Sequence, residues 1–348
     1  MGRVGIKFLD PEAGNAKTGC VAHVFSSRMT ACCAIFARTN EKEIWVRYVG
    51  LLLLLCTAGC APVGNVVKEG AAGAAPPKPI PAKRLMVWDD LLSRPKPVAD
   101  ATVRYGADAL QLVDVWKPVG AGPHPAVVMI HGGCWQTEIA ERDIMNWIAD
   151  DLRTHGVGVW NIEYRGVDRG GGYPGTYQDV GAAADMFAAK RAEFGFKTDA
   201  PVVTIGHSAG GHLSLWLARR SALAKGDALR GEKPLQVDLA ISQGGLPDLR
   251  AQMMLPDHGC GNEAAAKMAG DAFARVSPPE MPKGRARELQ FNNDRDRIAP
   301  PSFGAAYGAP MVTTPDEGHA ELIAPETISW GKQRAVILKT FGLKAAKP

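Results

Sequence analysis

The sequence predicts an α/β fold, with a mostly parallel central sheet covered by helices on both faces. Three observations carry that expectation. Apolar runs of strand length alternate with stretches of helical period from about residue 100 onward. The run Ala126-Val127-Val128-Met129-Ile130 is apolar at every position, as a strand buried on both faces must be. Two glycine-rich turns, at residues 131–135 and 206–210, stand where a strand ends and the chain turns back. A chain of 348 residues, 46% hydrophobic and 22% charged, has ordinary globular composition and no visible internal repeat.

The elements follow in order. Arg47 precedes an apolar block from Val49 to Ala58, and small residues close it at Ala58-Gly59-Cys60. A basic flank, a short apolar core and a small-residue break describe a secretory signal segment, too short to span a bilayer as a helix. The ending resembles a lipoprotein cleavage box, so Cys60 is the expected lipidation site and the expected location is the cell envelope. Thr57 departs from the Leu or Val usual in that box, and plain secretion is the alternative. Residues 1–59 thus read as a leader and 60–99 as a tether rich in Ala, Gly and Pro. Residues 100–344 read as the folded domain.

Within that domain, strands are expected over 109–116, 126–130, 157–164, 201–205, 237–241, 289–291 and 311–313. Ile144, Trp147, Ile148 and Leu152 fall at helical spacing, with Gly156 as a stop. Further helices are expected over 177–194, through Leu213, Leu215, Trp216 and Leu217, and over 326–341. Ligands of such a sheet bind at the carboxyl ends of its strands.

Charge and cysteine content exclude several classes. The chain holds 40 Lys/Arg and 36 Asp/Glu; setting aside a leader with seven basic and four acidic residues leaves a near-neutral body. No basic run with interleaved aromatics remains, which argues against nucleic acid as a partner. Only Cys60, Cys134 and Cys260 follow the leader, without metal-type spacing, so no metal or other cofactor is expected. Whether Cys134 and Cys260 pair is open at this level.

Gly206-His207-Ser208-Ala209-Gly210 fits the pattern G-x-S-x-G between an apolar strand and a periodic helix. A glycine-rich turn with an N-capping serine would match the five residues alone. The flanking strand and helix point instead to a nucleophile, because a sharp strand-to-helix turn lifts the Ser208 hydroxyl above the sheet and aims free helix N–H groups at a developing oxyanion. His131-Gly132-Gly133-Cys134-Trp135 follows the strand ending at Ile130. Its glycine pair lets backbone N–H groups turn inward, so Gly133 and Cys134, with Ala209, are the expected oxyanion donors. Trp135 and His207, flanking those donors, are read as substrate-side residues.

These two motifs, with Gly211-His212 continuing the second, resemble α/β hydrolases of the esterase/lipase group. The resemblance extends to kynurenine formamidases and to acetyl-xylan and feruloyl esterase-like proteins over about residues 100–341. It implies a serine esterase acting through an acyl-enzyme on a small-molecule or carbohydrate-linked ester. An arylformamidase or peptidase of the same fold, or a non-catalytic envelope binding protein, are the alternatives. It also implies an acid and a histidine after the serine. His319, after the strand at 311–313 and before the last helix, matches the histidine position. Asp296, four residues before Pro300, matches the family's Asp-x-x-Val/Ala-Pro pattern, with Asp294 and Asp248 as alternatives. The interval from 296 to 319 leaves room for little more than a helix over 302–307. Asp179, Arg165, Asp316 and Glu317 are expected to be structural or solvated.

Overall fold

In the computed structural model the described residues are 83–255 and 260–344. The expected signal segment and Cys60 lie outside them. Residues 83–99 were expected in the tether, yet they are built into the body. Leu91 is fully buried, Trp147 Nε1 donates to Pro95 O at 3.1 Å, and Asn146 Nδ2 donates to Pro97 O at 2.9 Å. Proline-rich composition conceals this, because proline carbonyls remain good acceptors for a neighbouring helix.

The chain runs α1 (Trp88–Leu92), β1 (Ala101–Arg104), β2 (Leu112–Trp116), β3 (Ala126–Ile130), α2 (Asn146–Thr154), β4 (Gly158–Ile162), α3 (Gly175–Lys190), β5 (Val203–His207) and α4 (Ala209–Arg220). It continues with β6 (Leu239–Gln243), α5 (Leu249–Met253), α6 (Asn262–Ala269), α7 (Phe273–Val276), β7 (Arg287–Phe291), α8 (Pro301–Tyr307), β8 (Met311–Val312) and α9 (Ile328–Thr340). The eight strands form one sheet in the order β1-β2-β4-β3-β5-β6-β7-β8. The pairs β1/β2 and β2/β4 are antiparallel, and every pair from β4 to β8 is parallel.

The period-two rule of a strand divides the core between the sheet's faces. Val128 and Ile130 of β3 point into a layer with α3 and α4, whereas Val127 and Met129 point into one with α2 and α9. The strands β3, β4, β5 and β6 are buried at every position, which explains the unbroken apolar run of β3 and the mostly apolar residues of the other three. The edge strand β1 lacked that signal: its residues alternate half-buried and exposed, and Ala-Thr-Val-Arg carries no apolar run. The three short helices between β6 and β7 were likewise unassigned from sequence. Among the described residues no helix is long and apolar enough to cross a membrane.

Candidate active site

The turn from β5 into α4 places Ser208 in the left-handed region, at φ 54° and ψ −120°. A non-glycine residue there costs about 1–3 kcal/mol, which the surrounding structure must offset. It does so by close backbone approach. A Cβ on Gly206 would strike the Gly210 carbonyl, and one on Gly210 would strike the carbonyls of Ile130 and His131. Ser208 N donates to Gln243 O at 2.8 Å, tying the turn to the end of β6.

The loop after β3 comes against this turn. A Cβ on Gly132 would lie 3.0 Å from Ser208 Cβ and 2.9 Å from His207 Nδ1. The next three residues, Gly133, Cys134 and Trp135, all have positive φ, at 90°, 55° and 56°. Such a run turns successive N–H groups to one side. The N–H groups of Gly133 and Cys134, and that of Ala209 at the head of α4, find no acceptor among the described residues.

Buried polar contacts brace the loop from beneath. His131 Nε2 lies 2.8 Å from Glu163 Oε1, Arg142 N donates to Glu163 Oε2 at 2.9 Å, and the Tyr164 ring stacks on His131 at 4.2 Å. Burial alone would raise the Glu163 carboxyl; the charge and hydrogen bond of His131 and the N–H donors of Arg142 and Tyr164 outweigh it and hold that carboxyl below its usual range. A disulfide joins Cys134 to Cys260, with Cα atoms 4.8 Å apart, so the loop is covalently tied to the segment leading into α6.

Two residues expected at the substrate are buried instead. Trp135 is fully buried, and its Nε1 donates to His212 Nδ1 at 3.3 Å. His212 Nε2 in turn donates to Val276 O at 2.8 Å, and burial lowers His212 to about 4, so it bridges loop, α4 and α7 as a neutral ring. His207 is 2% exposed and lies with Nε2 3.2 Å from His319 O. Burial first, then the neighbouring His319, pushes His207 well below the ordinary histidine range. Trp135 Nε1 and His207 Nε2 each meet a partner inside the protein, whereas His207 Nδ1 is buried without one among the described residues.

His319 Nδ1 lies 2.7 Å from Asp296 Oδ2. The other carboxylate oxygen, Oδ1, accepts from Ile298 N at 2.9 Å and Ala299 N at 2.8 Å, which fixes the carboxylate plane. Asp294 is exposed, and Asp248 caps α5 by accepting from Arg250 N and Ala251 N. Neither faces the histidine. The His207 and His319 rings are 4.4 Å apart. Gly244 seats between the parts, its Cβ position 3.0 Å from both Asp296 Oδ2 and His319 Cε1, directly after the Gln243 carbonyl that holds Ser208 N. Ser208 and His319 therefore flank one short segment. Ser208 Oγ makes no hydrogen bond to His319 here; in unliganded sites such contacts are often long and tighten around substrate.

Sequence reasoning missed Trp88, whose indole stands edge-on to His207 and His319 at 6.0 and 6.1 Å. The only sequence signal was a short apolar stretch, Leu85-Met86-Val87-Trp88, at the end of a proline-rich segment. Other charged residues are structural. Arg165 forms two hydrogen bonds of 2.8 Å to Asp179, and Glu317 accepts from Ile328 N and Ser329 N at the start of α9. Among the described residues no group of three His, Cys, Asp or Glu side chains is placed to hold a metal.

The family described as BD-FAE matches residues 113–277. Among curated proteins none matches the chain in sequence. Solved structures do. A truncated carbohydrate esterase from gut microbiota is 20% identical, with 71% of this chain and 99% of that one covered and a TM-score of 0.58. Thermogutta terrifontis esterase 2, in a form phosphonylated by sarin, is 20% identical over 74% of this chain and 99% of its own, again with a TM-score of 0.58. Esterase B from Lactobacillus Rhamnosis is 18% identical over 71% and 87%, with a TM-score of 0.56. At such identities the likeness establishes the fold. By its sheet order, its strand-to-helix elbow and these matches, the chain has the α/β-hydrolase fold.

Proposed function

We propose that the chain is a serine esterase that cleaves carboxylic esters through an acyl-enzyme. One observation carries the reading: a serine in a strained elbow stands across Gln243-Gly244 from a histidine held by a buried carboxylate at 2.7 Å. Asp296 on Nδ1 leaves the Nε2 lone pair of His319 free to take a proton. Ser208 Oγ attacks the ester carbonyl carbon as its proton passes to that Nε2. Negative charge develops on the carbonyl oxygen, and the N–H groups of Gly133, Cys134 and Ala209 are the donors suited to hold it. The imidazolium, balanced by Asp296, returns the proton to the departing alkoxide. Water, deprotonated by the same histidine, then attacks the acyl-serine and frees the acid.

The structural neighbours are esterases, one of them phosphonylated by sarin, and this supports an ester substrate and a reactive serine. Acetyl or feruloyl esters, including those on carbohydrate, are the substrates we favour. The ending Ala58-Gly59-Cys60 supports anchoring at the envelope through lipid on Cys60, which mass spectrometry of the mature N-terminus tests.

A fluorophosphonate probe and p-nitrophenyl acetate test the activity together. Wild type is expected to take the label and turn over the ester; Ser208→Ala is expected to lose labelling and about 10⁴- to 10⁶-fold in kcat. An unlabelled wild type would indicate a binding protein on this fold. Faster release of formate from N-formylkynurenine than of acetate would reassign the substrate to formamides.

A further inference from the structure

The two site histidines have a neighbour supplied from far upstream, before the stretch 113–277 that matches the family. Trp88 opens α1, is half-buried, and meets both imidazoles edge-on. The segment around it is fastened to the loops that carry Asp296 and His319. Met86 N donates to Glu321 Oε1 at 2.6 Å, and Glu321 Oε2 accepts from Gly318 N, the residue before His319, at 3.0 Å. Arg295 Nη1 donates to Lys83 O at 2.5 Å, next to Asp296. Arg94 pairs with Glu326 on the same side, and Leu91 is fully buried one position short of the helix end. The indole is therefore registered to the imidazole and cannot drift from it independently.

We infer that Trp88 is a specificity-determining residue, forming the wall along which the leaving group departs and favouring alcohols that carry an aromatic ring. The inference rests on the esterase reading above. His319 must protonate the leaving oxygen, so that oxygen comes within about 3 Å of Nε2. With the Trp88 ring centroid 6.1 Å from that of His319, a substituent one or two bonds beyond the oxygen reaches the indole. Aromatic rings pair well edge-on or offset at such separations, whereas a short alkyl group presents little to pair.

The test compares benzyl acetate with ethyl acetate, which share an acyl group and an alkoxide leaving group and differ in the ring. Trp88→Ala is expected to lower kcat/KM for benzyl acetate roughly five- to tenfold, mostly through KM, and to leave ethyl acetate within about twofold. Trp88→Phe is expected to recover most of the loss. Trp88→Leu, which keeps apolar bulk and removes the indole, carries the same comparison should Ala loosen α1. Equal losses on both esters, or an unchanged rate on benzyl acetate, would overturn the inference while fluorophosphonate labelling of Ser208 left the esterase reading standing. A wild type that takes no label and cleaves neither ester would overturn both.

Discussion

Asp296 shows how two backbone N–H groups dictate the chemistry available to a distant ring. Oδ1 is committed to Ile298 N and Ala299 N, so only Oδ2 faces His319. In Asp296→Asn the amide oxygen must stay with those two donors, which turns the NH₂ toward Nδ1. His319 is then driven to the tautomer with its proton on Nε2, unable to accept from Ser208. Kinetics on p-nitrophenyl acetate should show kcat lowered about 10³- to 10⁴-fold with little change in melting temperature. A variant within tenfold of wild type would remove Asp296 from the proposed triad. At the same scale, Trp135 and His207 teach the opposite lesson: adjacency to a motif suggested contact with substrate, and the structure buries both side chains.

Among the elements, the loop after β3 is the one whose shape is least self-supporting. Three consecutive residues with positive φ, two of them not glycine, need outside restraint. The restraint is covalent on one side, through Cys134–Cys260, and polar on the other, through His131 and Glu163. The bridge closes a sequence separation of 126 residues, so its removal frees much of the unfolded chain. Cys260→Ser is expected to lower stability by about 2–4 kcal/mol in urea unfolding. Loosening of the proposed oxyanion donors should also reduce kcat by about tenfold, with KM little changed. Wild type treated with a thiol reductant should match the variant in both measurements. A variant with lowered stability and full kcat would show that the bridge holds the fold and leaves the donors unaffected. The helices α5 to α7, which the bridge reaches, also receive the Trp135–His212–Val276 chain of hydrogen bonds.

Over the whole molecule, that chain and its neighbour make stability respond to acid. His212 and His207 are buried as neutral rings, with His212 lowered to about 4 and His207 well below its usual value. Their folded-state values lie below those of the unfolded chain, near 6.5, so the unfolded chain binds more protons as pH falls between them. Stability is complete above about pH 6.5 and declines as pH drops toward 4, by up to roughly 1.4 kcal/mol per pH unit for each ring. Urea unfolding at pH 7.5, 6 and 5 should show midpoints falling in that order; a flat profile would mean that the rings gain water or partners on protonation. The gross architecture was legible in sequence because strands such as Ala126–Ile130 announce burial by local composition, and the elbow's glycines announce it by spacing. The choice of Asp296 over Asp294, the pairing of Cys134 with Cys260, and the approach of Trp88 to His319 were decided only by the tertiary structure. Periodicity and turn chemistry act between near neighbours and so are written in adjacent residues. Which side chains meet across the sheet depends on how the whole chain closes, and no short stretch of sequence contains that information.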